Sequence, residues 1–247
     1  MKVKQFLLFG LVASMSCNIY AQKDSTINSV PFYWTFELGT SYLTSTSSIQ
    51  NQKAPFFPTS SGSIYFNWNF PIGNQKTIPM SGFSLAPGIG FGASTYSINK
   101  NLSETNGLIT IEEIGGSYEY SYVQGIYFDI PLDVRYLTKP DLKRQNFSFE
   151  LGGKFGYLVY TEKEIQKKEG NSTVTDNNKH VGILNKYRYG INAKISFRKM
   201  KITKTNDLMG LSFSIIGNYY LSDVFIDQNN LNSKSFSVGA GLGFNFK

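Results

Sequence analysis

The run GIYFDIPLDVRYL, residues 125–137, has the aromatic and branched content of a β-strand, yet it carries two aspartates, an arginine and a proline. Read at every second residue, it separates. Ile126, Phe128, Ile130, Leu132, Val134 and Tyr136 fall on one side; Tyr127, Asp129, Pro131, Asp133 and Arg135 fall on the other. Side chains alternate between the faces of a strand, so this strand has one wholly apolar face and one charged face. The apolar face needs an apolar neighbour, and the charged face must meet water or be paired.

The same alternation recurs along the chain. Phe32, Trp34, Phe36 and Leu38 alternate with Thr35, Glu37 and Gly39, and Ile64, Phe66 and Trp68 with Ser63, Tyr65 and Asn67. Phe83, Leu85, Ile89 and Phe91 oppose Ser84, Gly88, Gly90 and Gly92. Phe147, Phe149, Leu151, Phe155 and Tyr157 oppose Ser148, Glu150 and Lys154. Further runs lie at 187–198, 208–221 and 234–246. That makes eight segments of roughly 10 to 15 residues, the length a tilted strand needs to cross a bilayer. The polar parity carries charges and glycines at mid-strand. Tyrosines and tryptophans recur towards segment ends (Trp34, Tyr42, Trp68, Tyr118, Tyr120, Tyr136, Tyr157, Tyr187, Tyr219), as interfacial girdles require. Connections alternate too: long at 44–60, 99–117, 161–185 and 222–233, shorter at 71–80, 138–145 and 199–207. The reading is an all-β protein, an eight-stranded antiparallel transmembrane β-barrel of up-and-down topology, with both termini and the short turns in the periplasm.

The first residues fit that destination. Lys2 and Lys4 precede an apolar run from Phe6 to about Ala13, then small and polar residues to Ala21, the layout of a secretory signal peptide. The apolar run is short of the roughly 20 residues a membrane helix needs. Cleavage after Ala21 makes residues 1–21 the signal, 22–31 a short periplasmic segment and 32–247 the barrel. Cys17 offers a lipoprotein signal as the alternative, without the leucine expected three residues before it. Removing the leader removes the only cysteine, so neither disulfides nor thiolate chemistry is available to the mature chain. Mean hydropathy is −0.21, and no later stretch has the composition of a membrane helix.

With these features in place, the chain resembles the PorT-like outer-membrane β-barrel family of Bacteroidetes, from about Trp34 to Phe246. The resemblance is carried by YFDIPLDVRYL, residues 127–137, with its Ile-Pro-Leu signature, by the glycine-alternating end FSVGAGLGFNF, residues 236–246, and by the leader's YAQ ending. It implies a barrel inserted by the outer-membrane assembly machinery, with the alternating aromatic last strand as recognition signal; here Lys247 follows the final aromatic residue. The family takes its name from a member linked to type IX secretion and gliding. The resemblance therefore implies location more than role.

If the apolar parity faces lipid, the other faces the lumen. It assigns Glu37, Glu119, Asp129, Asp133 and Glu150 as acids there, and Arg135, Lys154, Arg188, Lys194 and Arg198 as bases. An eight-stranded barrel is just wide enough inside for side chains to fill. Buried charges must be paired or hydrated, so a balanced network closing the lumen is the expectation, with long charged side chains reaching towards Gly88, Gly90, Gly92, Gly239, Gly241 and Gly243. The alternative is a polar conduit for small solutes. Pro131 lacks the N–H that a ladder uses. A missing ladder bond without a bulge is expected there, and a functional kink is the alternative.

Chemistry is sparse. His180, the only histidine, lies in the connection 161–185 and could serve a lipid-modifying enzyme as base, but a lone loop histidine is far more often a solvated polar residue. No cofactor, metal or catalytic residues are assigned, since the loop acids Glu112, Glu113, Glu162 and Glu164 lack calcium-loop spacing. The glycines of PGIGFGAS open no helix and cradle no phosphate. The short turns hold seven bases against two acids, while the long loops hold six lysines against nine acids. Basic turns suit anionic headgroups, and nothing in the pattern points to nucleic acid. The loop TEKEIQKKEGNSTVTDNNKH is read as a solvated cap. The expected partners are outer-membrane lipid and lipopolysaccharide, the assembly machinery, and envelope proteins at loops or turns. The reading is non-enzymatic, with a structural or docking role. A component of a secretion or surface assembly and a small-solute channel are the alternatives.

Overall fold

A computed structural model describes residues 32–45, 60–72, 81–98, 100–105, 108–114, 118–139, 145–169, 172–202, 208–226 and 233–246. The expected signal peptide and residues 22–31 lie outside the described residues. The strands are β1 (Phe32–Ser45), β2 (Ser60–Trp68), β3 (Phe70–Pro71), β4 (Gly82–Ser97), β5 (Lys100–Thr105) and β6 (Leu108–Glu113). They continue with β7 (Tyr118–Leu137), β8 (Gln145–Glu169), β9 (Ser172–Lys179), β10 (Tyr187–Ile202), β11 (Leu208–Tyr220) and β12 (Ser233–Phe246).

Each barrel strand pairs antiparallel with its neighbours in the order β10, β11, β12, β1, β2, β4, β7, β8, and β8 pairs β10 to close the ring. β3 continues the register of β2 on β4, so the pair acts as one strand and the ring has eight staves. The first and last strands are neighbours in this ring: β1 lies along β12 over its full length, from Phe32 opposite Phe246 to Ser45 opposite Ser233. This is the eight-stranded, up-and-down ring expected from the alternation.

Burial follows the parity closely. On β10, Arg188, Asn192, Lys194, Ser196 and Arg198 are buried, whereas Tyr189, Ile191, Ile195 and Phe197 are exposed. On β7, Asp129, Asp133 and Arg135 are buried and Ile130, Leu132, Val134 and Tyr136 exposed. The wall is thus inverted relative to a water-soluble core. Leu38 is 75% exposed and Leu151 65%, a state stable only against hydrocarbon. Outward aromatic contacts form two rows. Phe83 with Tyr136 (4.9 Å), Phe66 with Trp68 (4.8 Å) and Phe147 with Phe197 (5.5 Å) mark the end with the termini; Tyr157 with Tyr187 (5.6 Å) and Tyr42 with Phe236 (6.4 Å) mark the other.

Three features depart from the sequence reading. First, the connection 161–185 is not a solvated loop throughout: β8 runs on to Glu169 and pairs β9, with the upper part of β7 on its other side. The cause is an irregularity at Val159. Ile126 pairs Tyr160 but Tyr127 pairs Leu158, so one extra residue resets the phase of β8. Beyond it Thr161, Lys163 and Ile165 point inward, and Tyr160, Glu162, Glu164 and Gln166 take the outer face. Second, β5 and β6 form a separate hairpin whose Leu102 and Ile109 are buried with Leu43, Tyr96, Ile98, Val123, Ile183, Leu184, Val224 and Phe225. A conventional apolar core therefore sits at the loop end and caps the barrel, pinned by the Leu184–Phe225 bridge. Third, Tyr120 belongs to this projecting sheet and not to a girdle, donating to Glu164 over 2.7 Å.

Pro131 introduces no bulge. The β4–β7 ladder keeps its register but jumps from Pro87–Leu132 to Gly90–Asp129. The missing N–H opens the seam at one place only.

Leu151→Arg is expected to destabilise the folded barrel by about 2–4 kcal/mol, the range for a cation near the bilayer midplane on the lipid face. Denaturant titration of the refolded protein in lipid vesicles, followed by tryptophan fluorescence, measures it.

Candidate functional site

The lumen-facing charges gather in two layers. In the layer nearer the loop end, Arg188 on β10 reaches Asp129 on β7 through Nε (3.0 Å) and Nη2 (2.5 Å), a two-pronged ion pair. Its Nη1 donates to Ser94 Oγ (3.2 Å) and Nη2 also to the Gly92 carbonyl (3.2 Å). The guanidinium lies between the rings of Tyr127 (4.0 Å) and Tyr220 (4.8 Å), and Tyr65 donates its hydroxyl to Asp129 (2.8 Å). Asp129 is 0% exposed, so each lone pair that water would occupy needs such a partner. Lys154 donates to Asn218 (3.1 Å), sits over the Tyr65 ring (4.5 Å) and faces Glu37 at 3.9 Å; Ser63 donates to Glu37 (3.1 Å). A small polar space remains here, lined by Glu37, Ser61, Ser63, Lys154, Asn218 and Ser237 among others.

In the layer nearer the termini, Glu150 on β8 receives Lys194 (2.8 Å) and Arg135 (3.1 Å). Arg135 stacks over Tyr33 (4.4 Å). Asp133 accepts from Asn192 (2.9 Å). Arg198 is buried and sits in register between Asn146 and Ser212 on the flanking strands. Of the sequence-assigned lumen charges, Glu119 is the exception: its side chain lies outside the described residues, and its strand position is in the projecting sheet.

Glycine makes room for these groups at particular positions. A Cβ on Gly92 or on Gly156 would strike both Arg188 and Asp129. The expected glycine wall is thus right for Gly92, but the β12 glycines do another job. A side chain at Gly239 would meet the Leu38 carbonyl, one at Gly243 the Ser212 hydroxyl and one at Gly241 the Ile216 side chain, with Glu37 farther off at 3.7 Å from the added Cβ. These glycines relieve strand-to-strand crowding and do not receive charges.

Sequence reasoning missed two sets of residues. Tyr33, Tyr65, Tyr127 and Tyr220 line the lumen as platforms for the cations. All four stand on the polar parity, a signal available in the alternation. Lys163 was invisible, because the extra residue at Val159 moves it inside. It donates to Asn101 Oδ1 (3.0 Å) and the Leu102 carbonyl (2.9 Å), tying the β5–β6 hairpin across the mouth. Burial pushes its ammonium below the ordinary lysine value, partly offset by Asp176 and Glu112. His180 sits on the outside, its ring edge-on to Tyr160 at 5.4 Å and its φ at 55°.

Chemically, this arrangement holds charge in place. Each lumen carboxylate among the described residues has a donor fixed by a strand, and both ends of the interior are filled, by ion pairs below and apolar side chains above.

A model of the outer membrane protein beta-barrel domain matches residues 20–225. The chain belongs to that family. Outer-membrane location follows from membership, and β12 lies beyond the matched residues. Three solved structures show what the barrel is similar to. The attachment invasion locus protein Ail of Yersinia pestis, in complex with the heparin analogue sucrose octasulfate, is 6% identical, over 87% of this chain and 97% of that one, with a TM-score of 0.35. The outer membrane protein OprG of Pseudomonas aeruginosa is 8% identical over 90% and 100%, at 0.39. The outer membrane protease OmpT of Escherichia coli is 12% identical over 91% and 99%, at 0.38. No curated protein matches the chain.

Arg188→Ala is expected to cost about 3–5 kcal/mol, because it leaves Asp129 charged and buried. The double change Asp129→Asn with Arg188→Met is expected to recover part of that loss, as read by denaturant titration of the two variants side by side.

Proposed function

We propose that this outer-membrane barrel is closed to bulk solute, has no enzymatic activity, and acts through its rims in envelope architecture or docking. The observation that carries the reading is the double filling of the interior. The Arg188–Asp129 layer occupies the lumen within the wall, and the Phe225-centred apolar cluster occupies the mouth above it. A conduit needs a continuous wet path, and these two layers are stacked across it. The orientation that fits best puts both termini and the basic turns in the periplasm, after removal of residues 1–21 as a signal peptide. Lys139 is exposed at a turn on that side, where an acidic partner or anionic headgroups would meet it.

Within that role, the resemblance of residues 127–137 to PorT-like proteins favours a component of a secretion or surface assembly. The strand that carries the resemblance also supplies Asp129, Asp133 and Arg135 to the lumen. Co-purification of periplasmic or inner-membrane subunits, lost when the basic turns are neutralised, is the result expected of such a component.

Two layers give the closed reading a sharp test. Purified protein in planar bilayers is expected to show no steady single-channel conductance, with heat-modifiable gel migration as the control for folding. Deleting the hairpin 100–113 alone is expected to leave it silent, since the Arg188 layer stays in place. Combining that deletion with alanine at Asp129, Arg188, Glu150, Arg135 and Lys194, which removes the ion pairs of both charged layers, is expected to produce conductance. Reproducible conductance from the unaltered chain would overturn the closed reading and support the small-solute channel.

A further inference from the structure

Above the apolar band, the upper parts of β7 and β8 and the whole of β9 form a three-stranded sheet. Its outer face is polar: Glu164 accepts from Tyr120 (2.7 Å) and Tyr122 (2.9 Å), and Glu162 from Tyr160 (3.1 Å) and Asn177 (2.6 Å). Its inner face carries Val123, Lys163 and Ile165, all buried, and is anchored on the cap by Val123 in the apolar cluster and by the bonds of Lys163 to the hairpin. The sheet is rigidly mounted, because β8 is one continuous strand from the barrel wall to Glu169. β9 is its margin. Every residue from Ser172 to Lys179 is exposed, and among the described residues no strand pairs with β9 on the side away from β8.

An unpaired strand edge is a row of backbone donors and acceptors complementary to one thing, another extended chain. Natural edges are commonly blunted by proline, by bulges or by dense lysine. β9 has no proline or glycine, no register shift against β8, and a single lysine at its last position. At about 3.3 Å per residue it offers an edge of roughly 26 Å.

We infer that the outer edge of β9 is a docking strand for an extended segment of a partner protein, added antiparallel. This deepens the docking role proposed above and rests on it. The charges along the edge state what that segment carries. Asp176 and Lys179 stand three residues apart, on opposite faces of the sheet. An antiparallel partner passes Lys179 first and Asp176 three residues later, so it matches both with an acid followed, after two residues, by a base. Of the remaining edge positions, Ser172, Thr173, Thr175, Asn177 and Asn178 favour a small or polar neighbour, and the exposed Val174 an apolar one. A second copy in the same membrane fits poorly. Two barrels side by side are related by an axis along the membrane normal, which lays their β9 strands parallel. Every strand pairing among the described residues is antiparallel, and parallel pairing is the weaker per residue.

The test uses the full-length barrel in lipid nanodiscs and a labelled threonine-rich peptide of about ten residues carrying Glu-x-x-Lys. Fluorescence anisotropy reads binding, and amide hydrogen exchange reads its place. Binding is expected to slow exchange on β9, and swapping the peptide charges to Lys-x-x-Glu is expected to weaken affinity by about five- to tenfold. Adjacent residues aim their N–H groups at opposite sides of a strand. Of Val174→Pro and Thr175→Pro, one therefore removes an edge donor and is expected to abolish peptide binding while β8 keeps its exchange protection and the barrel its heat-modifiable migration. Three results would each overturn the inference: no slowing on β9, equal binding of the two peptides, or occupation of the edge by a second copy, seen as a dimer that the edge proline dissolves. Any of them, with the bilayer still silent, leaves the closed-barrel reading standing.

Discussion

A strand inside hydrocarbon has no water to bond with, so every backbone group in the band must find a partner within the wall. The β8–β10 pairing answers that constraint, because it turns an open sheet into a ring without an edge. Once the ring is closed, the two faces of each strand have opposite fates. One row meets lipid and is apolar without interruption, from Phe147 to Val159 on β8. The other is sealed away from both lipid and bulk water. The charged lumen is a consequence of closure, and its ion pairs are what makes that consequence tolerable.

That dependence explains how much could be read in advance. A period of two is strict, and a one-residue slip would drive Asp129 or Arg188 into lipid, so the alternation identified the strands and sorted lumen from lipid for nearly every charge. Pro131 was legible for the same reason: the apolar parity runs unbroken past it, which leaves no place for an extra residue. The limit came where the lipid ends. At Val159 the constraint relaxes and one residue is added. A reading that keeps its phase then places Lys163 and Ile165 outside and takes the rest for loop. The cap was hidden in another way. Leu102, Ile109, Ile183, Leu184 and Phe225 come from separate connections with no common spacing, and only the fold brings them together. Within the site, the carboxylates and cations could be listed from parity, but the partner of each could not, because register across the lumen depends on how the ring is staggered.

The interior thus has two solvents in succession. Within the band, ion pairs and tyrosine faces substitute for water; at the mouth, aliphatic side chains exclude it. Arg188 stands at the boundary, with its charge turned to Asp129 and its faces covered by Tyr127 and Tyr220. Tyr96 spans the same boundary, its ring in the cap and its hydroxyl on Ser235 at 3.2 Å.

The break in the ladder beside Pro131 has a mechanical side. The bilayer squeezes a barrel laterally, and a wall resists through its backbone bonds. Between β4 and β7 that resistance is thinnest where the pairing jumps from Pro87 to Gly90. Arg188 lies just to the loop side of that gap, fixed to Asp129 at its border on β7 and to Gly92 and Ser94 on β4. One side chain from strand β10 thereby acts as an internal tie-rod, holding two staves together from within beside the place where they hold each other least.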